Sequence, residues 1–393
     1  MMLKNSYLIE SLAPLVFRSG KPFGSQASAQ DVIFPLPSAS AGLIRAIGIG
    51  QKQIDFTEQR LTDVQHEAYQ KVLSIPVRGP FLVRYDQQDQ YEILVAKPAN
   101  ALYFENRETS ETELVRLAPE AFDDNISGCD LPKGLLAVQM QRPLKGKPQG
   151  GVNFWSLKHL IRWQQGEDLK FDEVHQLGLS HLPIDIRTHV AIDSSTQAGV
   201  SGKLFQTANL DLAHRKKLIG GWEEHRYGFI VQSNLVLNQD LATFGGERRL
   251  SNFQPIEMPN LQEINQQLLD KINQAKGFSL NFLSPTIFAK GYLPQWIDAD
   301  SLEGQLPETS LRIKLKAVAI DRWLPVSGWD SLLWKPKSMR KAVAAGSVYW
   351  FELMDEMDLV SLQTLSEHSF SDHLQDQRDG FGVTVIAPWS NIH

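Results

Sequence analysis

Apolar residues in the first 240 positions follow strand-like and helix-like spacings in turn. Continuous or period-two apolar runs predict β-strands, whereas three- and four-residue spacings predict amphipathic helices. The predicted strands are Tyr7–Phe17, Phe81–Tyr85, Tyr91–Ala96, Ile186–Ile192 and Tyr227–Leu237. The predicted helices are Ala41–Ala46, capped by Ser38 or Ser40 and ended by Gly48, then Glu58–Leu73 and Trp155–Gln165.

A second apolar block follows Gly245-Gly246 and repeats this alternation. Its predicted helices are Leu261–Ala275 and Leu359–Leu365, and its predicted strands are Phe278–Phe282, Leu311–Ile320, Ser347–Leu353 and Gly382–Ala387. The order strand, helix, strands, helix, strand in each half predicts an α+β protein built from two ferredoxin-like units. We expect one domain over residues 1–240, with an irregular insertion at 105–150, and a second over 241–393.

Composition narrows the class of protein. The chain has 393 residues, one cysteine (Cys129) and a net charge of −6. A single cysteine excludes an intrachain disulfide and a cysteine-based zinc site, and short broken apolar runs predict no membrane span, so a cytoplasmic protein is expected. The negative net charge counts against a freestanding nucleic-acid binder. A local basic groove remains possible, because the attraction between basic side chains and phosphates acts within a Debye length of about 8–10 Å.

Catalytic motifs are weak in this sequence. Gly199–Lys203 lacks the spacer and the hydroxyl residue of a phosphate loop. His181 and His189 stand near acidic residues, yet their spacing is a poor metal signal. One alternative stays open: His66 could act as a general base in metal-independent RNA cleavage. We therefore expect no metal, no cofactor and no catalytic residue in the main interpretation.

Two cationic segments could bind phosphates. Gly245–Arg249 combines two glycines, which let a backbone approach closely, with two arginines that Glu247 could orient. Lys335–Lys341 carries lysines and an arginine beside Trp334, a combination typical of single-stranded RNA grooves. The cluster of Trp323, Trp329 and Trp334 could lie in the core, at a subunit interface or on a base-stacking surface. The core or an interface is favoured, because exposed tryptophan is unfavourable unless covered.

An ordered set of short motifs resembles one known family. The opening Phe17–Phe23, Pro35–Pro37 and Ser40–Arg45 is followed by Gly79–Leu82, Lys97–Asn100, Gly245–Arg249, Gly291–Pro294, Ser327–Asp330, Lys335–Lys337 and Lys341–Tyr349. Together they resemble the third subunit of the type III-B CRISPR Cmr effector complex, a RAMP-superfamily protein. Asn100 replaces an expected aspartate, Ala344 replaces an expected proline, and residues 107–150 and 354–377 match poorly.

The resemblance implies two ferredoxin-like RAMP folds and a non-catalytic role. Such a subunit helps to hold the 5′ handle of the CRISPR RNA and contacts the large polymerase–cyclase subunit and the backbone RAMP subunits, in defence against foreign RNA. The implied RNA-binding residues are Arg18, Lys21, Arg45, Gly245, Gly246, Arg248, Arg249, Lys335, Lys337, Arg340 and Lys341. A RAMP endoribonuclease that processes CRISPR RNA, and a scaffold that never touches RNA, remain the alternatives.

Overall fold

The structure, a computed structural model, describes residues 3–17, 34–58, 61–86, 90–107, 109–121, 129–141, 144–212, 226–258 and 260–390. The strands, in chain order, are β1 (Asn5–Ser11), β2 (Val77–Tyr85), β3 (Tyr91–Ala96), β4 (Ala101–Asn106), β5 (Thr112–Glu120), β6 (Ala137–Met140), β7 (Gly146–Pro148), β8 (Phe154–Ser156), β9 (Ile184–Ile192), β10 (Gly199–Leu210), β11 (Arg226–Ser233), β12 (Asp240–Thr243), β13 (Leu250–Ile256), β14 (Gly277–Phe282), β15 (Glu303–Gln305), β16 (Arg312–Ala319), β17 (Trp323–Asp330), β18 (Lys335–Val343), β19 (Val348–Leu353) and β20 (Thr384–Pro388). The helices are α1 (Pro37–Gly50), α2 (Glu67–Leu73), α3 (Leu157–Gln164), α4 (Phe171–Leu177), α5 (Gln266–Ala275), α6 (Leu359–Glu367) and α7 (Leu374–Asp379). The protein is therefore a mixed helix and strand structure, as the sequence predicts.

The first large sheet has the strand order β12-β13-β1-β11-β2-β3-β8. Strand β1 lies inside this sheet and pairs antiparallel with β11 on one side and with β13 on the other. Strands β12 and β13 lie beyond the domain boundary predicted at residue 240, yet they hydrogen-bond within this sheet. The first sheet therefore ends after Ile256 and not at 240, because the chain returns to cover the free edge of β1.

The second large sheet has the order β15-β16-β19-β14-β20. Strand β14 is buried along its whole length and pairs antiparallel with β19 and β20. Each large sheet contains four strands in a shared arrangement, which are β1, β2, β11 and β13 in the first sheet and β14, β16, β19 and β20 in the second. The first of the four along the chain (β1 or β14) lies between the third (β11 or β19) and the fourth (β13 or β20). The second strand (β2 or β16) lies beyond the third. The two halves thus share one strand order.

Residue alternation explains how the second sheet covers its core. Along β16, Ile313 and Leu315 are fully buried, while Lys314 between them is partly exposed and pairs with Glu303 at 3.2 Å. Successive strand residues point to opposite faces, so one face of β16 packs inward and the other meets water. Helix α5 closes this core, and its start is capped by Asn265, whose Oδ1 accepts from the Leu268 amide at 3.0 Å.

The insertion predicted to be irregular over residues 105–150 is a small ordered sheet in its described parts, with the strand order β6-β5-β4-β7. The prediction failed because β5 contains Pro119 and several charges, and most of its residues are only partly buried, so no clean period appears. Near β6, the Leu136 amide donates to the carbonyl of Lys316 at 2.7 Å. The insertion therefore connects the first half of the chain to the second.

Several helix boundaries differ from prediction. Helix α5 begins at Gln266 and not at Leu261, and α3 spans Leu157–Gln164 and not Trp155–Gln165. Among the described residues of the predicted Glu58–Leu73 helix, Glu67–Leu73 alone is helical, because the His66 side chain caps the helix there. Helix α1 is longer than expected, since it starts at Pro37 and continues past Gly48. Proline suits the first helical position because its missing amide has no partner there anyway. No helix within the described ranges is long and apolar enough to cross a membrane.

Strands β9 and β10 pair with each other as a largely exposed two-stranded ribbon, and a bridge between Leu210 and Leu15 joins the end of β10 to the first half of the chain. Ile184, Ile186, Val190 and Ile192 lie on one face of β9 and are each between 43% and 56% exposed. The Gly199–Lys203 segment lies in β10, so it forms no phosphate loop, as the sequence suggested.

Candidate nucleic-acid interface

A groove of about 830 Å³ lies between the two halves of the chain. Helix α1 forms its floor with Leu43 and Ala46. One wall is the loop between β12 and β13, including Gly245 and Gly246, and the other is the β17–β18 hairpin, including Lys337. Two segments that are distant in sequence, and that were both predicted to bind phosphate, therefore meet at one opening.

The geometry of the first wall requires a glycine at position 245. Gly245 has a φ of 82°, and a Cβ at this position would stand 2.7 Å from the Val16 carbonyl oxygen. The Gly246 amide donates to the same oxygen at 2.8 Å. A side chain would collide with this carbonyl, so the bare backbone of the loop forms the edge of the groove.

The two arginines after these glycines differ in their surroundings. Arg249 Nη2 donates to Glu247 Oε2 at 2.9 Å, which is the orienting role predicted for Glu247. Arg248 is exposed, has a φ of 53°, and makes no ion pair with any residue that the structure describes. Arg248 is therefore available to bind an anion, whereas Arg249 is partly neutralised.

The second wall is a hairpin that the sequence interpretation did not identify as strands. Val326 of β17 and Ala342 of β18 are buried against Ile287 and Phe381. Lysines 335, 337 and 341 are exposed on β18. The hairpin thus fixes basic side chains on a paired framework and not on a loop.

The tip of this hairpin is attached to the first half of the chain by Asp330. Its Oδ2 accepts a hydrogen bond from the Tyr69 hydroxyl at 2.7 Å, and its Oδ1 accepts from the Leu332 and Leu333 amides at 3.0 Å each. Burial, and next the bond to Asp330, raise the pKa of Tyr69 well above its usual value. Tyr69 therefore remains a donor at any ordinary pH.

Two of the predicted RNA contacts are ion pairs inside the protein. Arg45 Nη1 contacts Asp379 Oδ1 at 2.7 Å, and the two side chains are 6% and 5% exposed. Arg340 forms a bidentate pair with Asp376 at 2.6 and 2.7 Å. The role predicted for Arg45 is not supported, because its guanidinium lies beneath the surface and joins α1 to α7. Sequence reasoning missed this pair because its partners are 334 residues apart.

The remaining predicted contacts differ in whether the structure describes them and in how exposed they are. Arg18 and Lys21 lie outside the described residues, although Phe17, just before them, lines the groove. Lys337 Nζ stands 4.0 Å from Asp379 Oδ2, while its side chain is still 37% exposed. Lys337 therefore connects the internal ion pairs to the open groove.

The tryptophans of the hairpin are exposed. Trp323, Trp329 and Trp334 are 58%, 55% and 63% exposed, so the core placement considered from the sequence is wrong. The rings of Trp329 and Trp334 lie edge to face, with centroids 6.5 Å apart. These three tryptophans therefore lie on the surface of the chain.

The histidines considered for catalysis serve other contacts. His66 Nδ1 accepts the Ala68 amide at 3.2 Å as a helix cap. His189 Nε2 lies 2.9 Å from the Thr207 hydroxyl. Within the described ranges, no three histidine, cysteine or acidic side chains cluster closely enough to hold a metal ion. The ribonuclease alternative, which requires no metal, stays a hypothesis.

Comparison with known proteins agrees with the resemblance indicated by the sequence motifs. The family model described as CRISPR-associated protein (Cas_Cmr3) matches residues 7–389, and the chain belongs to this family of CRISPR-associated proteins. The resemblance predicted from the motifs is confirmed, and the chain is a Cmr subunit of type III-B CRISPR-Cas. A comparison with curated proteins finds no match.

Solved structures give more distant similarities. A chain of a type III-B Cmr-beta complex bound to cognate target RNA has 16% identity and a TM-score of 0.49, over 96% of this chain and 95% of that one. A chain of the same kind of complex with target RNA and AMPPnP has 17% identity and a TM-score of 0.47, over 88% and 86%. A chain of the Csm3-Csm4 subcomplex of a type III-A interference complex has 11% identity and a TM-score of 0.37, over 98% and 99%.

Proposed function

We propose that this subunit is not an enzyme and anchors the 5′ handle of the CRISPR RNA in the groove between its two halves. The observation that carries the proposal is the meeting of the bare glycine loop and the basic hairpin at one opening. The proposed contacts are Arg18, Lys21, Gly245, Gly246, Arg248, Arg249, Lys335, Lys337 and Lys341. Arg45 and Arg340 are left out because acidic residues of this chain hold them.

The chemistry of the groove suits a sugar–phosphate backbone. The absence of side chains at Gly245 and Gly246 lets a bulky phosphate approach the backbone closely, and exposed Arg248 supplies a planar donor fork two residues further along the loop. Binding of this kind depends on the charge and shape of the RNA backbone. The target sequence is then recognised by base pairing with the guide RNA. The overall charge of −6 is compatible with the proposal because the cations are local.

We also propose how the fold serves assembly. The shared strand order of the two sheets favours two ferredoxin-like RAMP units, with the first ending after Ile256. Surfaces outside the groove would contact the large polymerase–cyclase subunit and the backbone RAMP subunits. Assembly with guide RNA would take place in the cytoplasm.

Charge reversal of Arg248 tests the proposal in the assembled complex. The tagged chain is isolated from its native cells, and the guide RNA that comes with it is quantified at increasing salt. Arg248→Glu should reduce guide retention and lower the slope of log affinity against log salt by about 0.7 for each lost phosphate contact.

Lys133→Glu is the matched control, because Lys133 is exposed, lies away from the groove and undergoes the same change in charge. Guide content that is equal in Arg248→Glu and in the wild type would refute the groove. Recovery of the wild-type complex without guide RNA would refute the function itself.

A further inference from the structure

We propose that the exposed tryptophans of the β17–β18 hairpin form a stacking platform for unpaired bases of RNA. Trp329 also lines the groove, so the platform adjoins it. The inference rests on the proposed function and extends it from phosphate binding to base contact. The tryptophan platform is defined as Trp323, Trp329 and Trp334, each more than half exposed.

Strand pairing places the rings along one element. Trp323 lies opposite Val343 at the base of the hairpin, and Trp329 lies opposite Pro336 near the tip. These two tryptophans are six residues apart, which corresponds to roughly 20 Å of strand. Trp334 adds its ring beside Trp329. The platform therefore offers aromatic faces at both ends of a surface long enough for several bases.

The charge around the rings matches a polyanion. Residues 323–343 contain four basic side chains, and Asp330 is the one acid. Asp330 is 9% exposed and is held by Tyr69. Lys341 Nζ lies 5.2 Å from the centre of the Trp323 ring. Arg340 and Lys337 face Asp376 and Asp379, so the cations left for the phosphates of a strand stacked on the rings are the exposed Lys335 and Lys341.

The same composition disfavours a protein partner. Centres of protein interfaces are enriched in tryptophan but depleted in lysine. Grooves for single-stranded nucleic acid combine both residue types, since bases stack on the rings and the backbone follows the charge. Exposed Lys335 and Lys341 beside the rings therefore favour RNA.

The platform is also held rigidly. Val326 and Ala342 pack into a buried cluster on the inner side of the hairpin, and Leu333 packs against Leu61 and Tyr69 at the tip. A framework fixed on its inner side does not have to be ordered on binding, which favours affinity.

Binding of fluorescent oligoadenylate and oligouridylate to the full-length chain tests the proposal. Replacing Trp329 and Trp334 by leucine should weaken binding by roughly tenfold for each lost base stack, with an unchanged salt slope. Replacing both by phenylalanine should retain most of the affinity, because phenylalanine preserves a ring. Val360→Ala, at a residue 70% exposed on α6, is the control for a general loss of surface apolar area.

Equal RNA affinity of the leucine variant and the wild type would overturn the platform. Loss of a co-purifying protein subunit, with RNA affinity intact, would do the same and would identify a protein interface. The groove is judged separately by guide retention in Arg248→Glu. An unchanged guide content there, together with weak oligonucleotide binding by the leucine variant, would refute the groove and leave the platform standing.

Discussion

The buried pair of Arg45 and Asp379 should be one of the most sensitive points of the structure. Asp379→Ala removes the carboxylate 2.7 Å from the guanidinium and leaves Arg45 charged beneath the surface. Breaking a buried pair from one side costs about 3–5 kcal/mol in the free energy of unfolding, because the remaining charge is not compensated. At about 2 °C per kcal/mol for units of this size, the melting temperature should fall by roughly 6–10 °C.

The exposed pair of Arg312 and Asp355 is a matched control. Its closest distance is also 2.7 Å, but the side chains are 63% and 34% exposed. Asp355→Ala should cost much less than Asp379→Ala, because water replaces the lost partner. The assay is thermal unfolding of the full chain, followed by circular dichroism.

A double variant separates the lost pair from other effects. Arg45→Met with Asp379→Leu removes both charges and should recover much of the stability lost in Asp379→Ala. The recovery should be incomplete, since Arg45 Nη2 also donates to the Ile75 carbonyl at 2.8 Å. Equal losses in Asp379→Ala and Asp355→Ala, or no recovery in the double variant, would show that the buried charge does not dominate.

Two further predictions concern backbone conformation and pH. Gly245→Ala should lower the free energy of unfolding by at least about 1 kcal/mol more than Gly291→Ala does. Both glycines have a positive φ, but only Gly245 lies close to a carbonyl, that of Val16. Equal melting temperatures of the two variants would contradict this. Burial lowers the pKa of His159, so its contribution to stability is present above about pH 6.5 and is lost as the pH falls toward the folded-state value. His159→Gln should therefore lose less stability than the wild type between pH 7.5 and 5.5. Equal losses in melting curves at the two pH values would contradict this.

The sequence predicted the central strands well for a physical reason. Strands such as β14 and β19 are buried on both faces, so their apolar runs are continuous and short. The β17–β18 hairpin escaped prediction because Pro325 and Gly328 interrupt it and its tryptophans face outward. Prediction from the apolar pattern assigns aromatic rings to a core, whereas the tryptophans of this hairpin are exposed.

The candidate site was predictable only where its chemistry is local. Gly245 and Glu247 could be interpreted from adjacent residues, because a turn and a short-range ion pair depend on neighbours in the chain. Arg45 could not, because nothing near it in sequence reveals Asp379. Lys337 stands between these cases, since its exposure to the groove depends on how the two halves pack together.

The distance in sequence between Arg45 and Asp379 also bears on how the protein is made. The two residues are 334 positions apart, and ribosomes add about 5–20 residues per second, so Arg45 emerges roughly 20–70 seconds before its partner. During translation the face of α1 that carries this guanidinium has no counter-charge from α7. The groove floor can reach its final form only when almost the entire chain has left the ribosome, and a nascent chain stalled before α7 would expose an incomplete groove.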